Sequence, residues 1–253
     1  MHSNAATTTV DRALPKAIRR SFRLRWDAVL TVILLAIGAF VMIAPFAWIM
    51  QVAFSNSPRA YQLPPQFFPS EVTVQNFANV LRDVPYLNFI RNSFFMTTAI
   101  TVGQLITCPM AAYPFARLNF PGKNLLFFVL LAALMIPAQV TIVPLFIFMR
   151  QIGLYNTLWS VILPPLISPF GMTLGIITFV FWWNEYFTSL VMIHDPNLQV
   201  LPVGLTLLQG RYSAGAVGNI AAGVTMAVIP ILIVFLLLQR NIIKSIASTG
   251  LKG

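Results

Sequence analysis

One apolar run constrains this chain more than any other feature. Trp159 to Ile193, WSVILPPLISPFGMTLGIITFVFWWNEYFTSLVMI, is 35 residues long and holds a single charged group, Glu185. A helix rises 1.5 Å per residue and a bilayer's hydrocarbon core is about 30 Å thick, so one crossing takes roughly 20 residues and two with a turn roughly 42. The run is therefore too long for one crossing and too short for two. Ser168-Pro169-Phe170-Gly171 offers a break. Met172–Ile193 is then 22 residues, about 33 Å, a full span. Thr157–Ser168 is 12 residues, about 18 Å if helical, and reaches half way. The expectation is a short inward half-helix, a partly extended turn near SPFG covered by protein or water, and a full outward helix.

The rest of the chain fixes where that run sits. Hydrophobic residues make up 58% and charged residues 9%, with a mean hydropathy of +0.80. Soluble domains carry roughly a quarter charged residues, so the chain reads as an integral membrane protein with one membrane domain. The net charge of +10 does not indicate nucleic acid, because six of sixteen basic residues (Arg12, Lys16, Arg19, Arg20, Arg23, Arg25) precede the first apolar run. That is the positive-inside pattern of a cytoplasmic N-terminus, with a contact to anionic lipid as a further option. The first run has no small-residue cleavage site close behind it and reads as a retained span. Cys108 stands alone and the two histidines, His2 and His194, are far apart, so neither a disulfide nor a metal cluster is expected.

In order, residues 1–26 read as a basic cytoplasmic tail and 27–240 as the membrane domain. Ala28–Met50, Asn92–Ala116, Asn124–Met149 (kinked by Pro137 and Pro144) and Asn219–Gln239 are the clear spans. Residues 51–91 form an external loop ending in a short amphipathic helix on the membrane face, with Thr73 as a possible N-cap. Residues 194–218 form a second external loop, and 241–253 a basic cytoplasmic tail. Both termini inside require an even number of crossings, so Trp159–Ile193 must return to its own side or cross twice. The fold class is thus an all-α membrane protein, a helical bundle of about five full spans plus a short half-helix.

Several ordered stretches resemble the MalG-like permease subunits of bacterial carbohydrate ABC importers. They are AYPFARLNFPGK, MIPAQVTIVPL, WNEYF, LPVGL and the terminal QR…GLKG, spread over most of residues 92–253. The resemblance implies a transmembrane subunit in the bacterial inner membrane that moves a sugar or related small polar solute by alternating access. It implies as partners a second permease subunit, two ATP-binding subunits and an extracytoplasmic solute-binding protein, with ATP hydrolysis outside this chain and no cofactor within it. The chain departs from the family in one place. SPFGM, similar to the start of the fourth span, runs straight into TLGIITFVFWWNEYF, similar to the end of the fifth. Roughly 45 residues of the family pattern, including the EAA coupling loop that contacts the ATPase, have no counterpart. The alternative is therefore a degenerate permease that assembles but is uncoupled from the ATPase. A proton-coupled carrier built around Glu185 would need an inverted repeat or a polar network, and the sequence displays neither.

The candidate residues follow from position. Trp183, Asn184, Glu185 and Tyr186 are candidates for the translocation path, because an acid in a membrane helix faces protein or water and aromatic rings stack on sugar faces. The plainer reading puts Glu185 at hydrated interface depth within an aromatic belt. Gln209, Arg211 and Tyr212 are candidates for contact with the binding protein, as the resemblance implies, against a solvated loop without a role. Arg240, Lys244 and Lys252 are candidates for ATPase contact, against a role in topology alone. Asn92, Gln104 and Gln139, single polar residues in spans, are expected to hydrogen-bond between helices.

Overall fold

Among the described residues, prolines and short polar breaks divide the chain into ten helices. The computed structural model describes residues 26–56, 71–167, 175–212 and 216–249, with side chains between residues 28 and 239. The helices are α1 (Trp26–Ala53), α2 (Gln75–Asp83), α3 (Tyr86–Arg117), α4 (Lys123–Leu134), α5 (Ala138–Gln151), α6 (Trp159–Ile167), α7 (Gly175–Trp183), α8 (Phe187–Met192), α9 (Leu201–Arg211) and α10 (Val217–Thr249). Two units result. The described part of Met1–Ala44 is the apolar start of α1, and nearly all of its side chains from residue 28 on are exposed. The packing described next is that of Pro45–Gly253.

Apolar faces gain little by leaving lipid for protein, so packing of small residues and hydrogen bonds must hold such a bundle together. α3 is its axis, packing against α6, α7 and α9, while α10 packs against α2, α9 and α7. Gly204 of α9 lies against the Phe89 ring, and Gly223 of α10 lies against Leu208 and Tyr86. The buried Tyr86 hydroxyl donates to the Gly223 carbonyl at 2.6 Å. Asn92 Nδ2 donates to the carbonyls of Asn197 (2.8 Å) and Gln199 (3.0 Å), and the Leu201 N–H donates to Ser93 Oγ (2.7 Å). Gln104 thus bonds between helices as expected, whereas Asn92 bonds to the loop before α9 and Gln139 is exposed on α5.

α2 forms where the helical spacing placed it. The cap position of α2 is Val74 and not the expected Thr73, which sits one residue earlier and accepts the Gln75 N–H on its Oγ1 at 3.1 Å. Buried Asn76 donates to the Ala53 and Ser55 carbonyls, both at 2.8 Å, covering acceptors left free at the end of α1. The inner side of α2 docks on α10, with Asn79 donating to Asn219 at 3.3 Å, so this amphipathic helix turns its buried face to the bundle.

The span count differs from expectation. Three described helices are long and apolar enough to cross a membrane: Ala28–Ala53, Tyr86–Arg117 and Val217–Gln239. The expected span Asn124–Met149 is built from α4 and α5, meeting at a bend of 98°, and taken together as one broken span the pair makes a fourth. Pro137, extended at φ −61° and ψ 137°, has no N–H for the preceding turn and biases the residue before it away from helix. Pro144 stays inside α5.

The run Trp159–Ile193 closes on itself. Asn156, just before it, adopts the left-handed region (φ 59°) that asparagine tolerates. Its N–H donates to the Met192 carbonyl at 3.0 Å, and its Oδ1 accepts from the His194 (2.7 Å) and Asp195 (2.8 Å) amides. The two ends of the run therefore lie within hydrogen-bond reach of each other. From there α6 descends α3: Trp159 meets the Phe95 ring at 6.4 Å, and Leu166 sits on Gly103. α7 climbs back, with Gly175 beside Leu105 and Phe179 edge-on to Phe94 at 6.2 Å. The expected turn near SPFG lies outside the described residues. Leu105 is about 28 Å along an α3 that is about 48 Å long, so the deepest described contacts of the hairpin stop well short of the Arg117 end.

Two expectations need correction. Met172–Ile193 is not one full helix: α7 ends at Trp183 and α8 starts at Phe187. At nine and six residues, about 13 and 9 Å, neither spans a bilayer. The loop 194–218 is also largely helical, as α9. Pro202 suits the first turn of a helix, and Leu201, Gly204 and Leu208 recur on its buried side.

Candidate functional site

The break between α7 and α8 is made by its own polar side chains. Asn184 Nδ2 donates back to the Val180 carbonyl at 2.7 Å, competing with the backbone ladder of α7. The Asn184 and Glu185 amides reach only the residue three back, Phe181 and Trp182, each at 3.2 Å, which tightens and ends the helix. One Glu185 carboxylate oxygen accepts the Thr188 N–H at 2.7 Å, so a negative group caps the first turn of α8. The result is an elbow with Asn184 and Tyr186 exposed and Glu185 half-buried.

Of the four path candidates, Trp183 stands apart. It is 2% exposed and stacks on Phe179 at 5.9 Å and 17°, so its ring faces are occupied by protein. Its neighbour Trp182 is half-buried and donates its indole N–H to Gln104 Oε1 at 3.1 Å. What the elbow offers outward is therefore a carboxylate, a carboxamide and one phenol ring. These groups suit hydrogen bonding to a polar solute passing by.

A second polar area lies where α2 and α9 end. The Tyr212 hydroxyl donates to Asp83 Oδ2 at 2.7 Å, and Arg82 Nε donates to Asp83 Oδ1 at 2.9 Å. These bonds, the Arg82 one foremost, hold the Asp83 carboxyl below its usual range. Partial burial first, and the Asp83 bond second, push the Tyr212 phenol up to about 12. Gln209 and Arg211 are exposed beside this cluster. Tyr212 and Arg82 are thus engaged within the chain, while Gln209 and Arg211 are exposed. Arg82 and Asp83 were not singled out from the sequence, although they close the amphipathic pattern of α2. α10 continues through positions 240 and 244, but the Arg240 and Lys244 side chains and all of Lys252 lie outside the described residues. Among the described residues no three His, Cys, Asp or Glu side chains gather as a metal site would require.

No family model matches the chain. It is 28% identical over 257 residues to a probable ABC transporter permease protein, YurM, of Bacillus subtilis, covering 83% of each chain. It is 27% identical over 265 residues to the sulfoquinovosyl glycerol transport system permease SmoH of Agrobacterium fabrum, covering 87% of this chain and 91% of that one. It is 26% identical over 278 residues to the trehalose/maltose transport system permease MalG of Thermococcus litoralis, covering 90% and 99%. In structure it resembles a chain of a bacterial ABC transporter that imports the acidic polysaccharide alginate. There the TM-score is 0.69 at 19% identity, over 85% of this chain and 96% of the other. The relatives are transport subunits and not enzymes, with ATP hydrolysis in a partner ATPase. Along most of its length the chain is thus similar to permease subunits of sugar ABC transporters, and its long apolar helices mark it as an integral membrane protein.

Proposed function

We propose that this chain is one membrane subunit of a bacterial importer for a sugar or a related small polar solute, working by alternating access in the cell membrane with both termini cytoplasmic. It pairs with a second permease subunit, two ATP-binding subunits and an extracytoplasmic solute-binding protein. Asn184, Glu185 and Tyr186 form part of the wall the solute passes, and Trp183 supports that wall from behind. Gln209, Arg211 and Tyr212 meet the binding protein; Arg240, Lys244 and Lys252 meet the ATPase. The observation that supports this reading best is the polar elbow, set in a bundle whose named relatives move trehalose, maltose and sulfoquinovosyl glycerol.

A second reading is favoured by the hairpin: the chain assembles but is uncoupled from ATP hydrolysis. The alignment to the Bacillus subtilis permease covers 257 residues, whereas 83% of this chain is about 210, so about 47 aligned positions lack a counterpart here. For the Thermococcus litoralis permease the same comparison, 278 against about 228, leaves about 50. This agrees with a missing coupling loop. The test is to coexpress the chain with the ATPase, second permease and binding protein of its own system. In liposomes, ATPase activity stimulated by loaded binding protein supports coupled import. A complex that assembles but shows no stimulation supports the uncoupled reading.

A further inference from the structure

We infer that Gln104 is a positioning residue whose one amide fastens both legs of the Trp159–Trp183 hairpin to α3, and through the outward leg sets the elbow at Asn184–Glu185. The elbow's part in transport rests on the function proposed above; the fastening does not.

The inward leg has a backbone problem that its sequence creates. Pro164 and Pro165 carry no N–H, and the helical partner of the Pro165 carbonyl would be the N–H of residue 169, which is also proline. That carbonyl is on a buried residue near the end of α6, within an apolar bundle where an unpaired acceptor is costly. Gln104 Nε2 donates to it at 3.2 Å. The outward leg carries the complementary need, a half-buried indole N–H that requires an acceptor. Trp182 Nε1 donates to Gln104 Oε1 at 3.1 Å. A carboxamide is the side chain that offers a donor and an acceptor at one end without a charge.

The neighbours do not share the task. Gln104 is 4% exposed, and the hydroxyl oxygens of Thr97 and Thr101 on the same helix are buried with no hydrogen-bond partner. Gly103 lets Leu166 approach closely, bringing the Pro165 carbonyl within reach. Trp182 lies two residues before Asn184, so whatever holds the indole also fixes the start of the elbow.

The test reads the two legs separately, in the full chain, in membranes and with Cys108→Ala. Cysteines at Phe94 and Phe179 (ring centres 6.2 Å apart) report α7, and cysteines at Phe95 and Trp159 (6.4 Å) report α6, through a short bifunctional thiol reagent. Gln104→Leu should lower the cross-linking rate constraint on both legs, with each pair's closed fraction shifted about three-fold per bond lost. Trp182→Phe, a milder change that decides the matter if Gln104→Leu does not insert, should loosen the α7 pair and leave the α6 pair unchanged. Gln104→Glu should behave as wild type at low pH, where its protonated carboxyl again offers one donor and one acceptor, and release the α6 leg as it ionises. Wild-type cross-linking of both pairs in Gln104→Leu, or equal loosening of both legs in Trp182→Phe, overturns the inference. Neither outcome depends on whether the chain transports anything.

Discussion

Replacing Asn156 by alanine tests the joint that closes the Trp159–Ile193 run. The side chain accepts two backbone amides, His194 at 2.7 Å and Asp195 at 2.8 Å, and the residue sits at φ 59°. Each hydrogen bond contributes about 1 kcal/mol net, and alanine in the left-handed region costs on the order of 1 kcal/mol more than asparagine. His194 is exposed, so water takes over part of what its amide loses. About 2 kcal/mol remains, which is about a 30-fold shift in the local closing equilibrium. Asn156→Gly removes the bonds without the backbone cost, and Asn156→Asp keeps both acceptors. Hydrogen exchange of the His194 and Asp195 amides in detergent micelles should therefore speed up most in alanine, less in glycine and least in aspartate. Equal exchange in the alanine and aspartate variants would refute the reasoning, because it would mean that the side-chain acceptor does nothing.

Other consequences follow from the same geometry. Gly204→Ala drives a Cβ into the Phe89 ring, an overpacking worth about 1–3 kcal/mol, visible as a lower thermal transition of the solubilised protein. Gly38→Ala, with no atom of the described residues within 4 Å, should leave that transition unchanged. Asn76→Ala strips the Ala53 and Ser55 carbonyls of their donor and should cost about 2 kcal/mol, read as faster proteolysis between α1 and α2. The Asp83–Tyr212 tie is pH-dependent at both extremes. Asp83 titrates below its ordinary 3.8 in the fold, so its contribution is full above that value and is lost as pH falls beneath it. Tyr212 titrates near 12 instead of 10, so its contribution is full below 10 and is lost as pH rises from 10 to about 12. Cleavage after Arg211 by a protease active across those ranges should rise at both ends, and Asp83→Asn should abolish the acid limb.

Length alone made the main topological feature legible. A largely apolar run of thirty-five residues fits neither one crossing nor two, and the structure answers with two legs whose outer ends meet at Asn156. Less legible was what happens inside its outward leg. An isolated Asn-Glu pair in an apolar helix is compatible with continuation. It breaks the helix here because Asn184 turns back to Val180 while Glu185 reaches forward to Thr188. Neighbouring tryptophans could not be told apart by composition either: Trp183 faces the core and Trp182 faces Gln104. α9 was hidden by Pro202, Gly204 and Gly210, which read as loop punctuation. Its signal was present in the helical spacing of Leu201, Gly204, Leu205 and Leu208, with Gly204 serving Phe89 rather than a turn. Asp83 and Tyr212 pair across 129 positions, a contact that no local pattern announces.

The central claim is that Trp159–Ile193 leaves one face of the membrane and returns to it. Single cysteines at exposed Gln151 and Asn197, one on each side of the run, test it directly in a Cys108→Ala background, with Asn119 as the marker of the opposite face. A membrane-impermeant maleimide applied to intact cells should label residues 151 and 197 alike and spare residue 119 until the cells are opened. Labelling of only one of 151 and 197 before lysis would mean that the run crosses, and the account would fall.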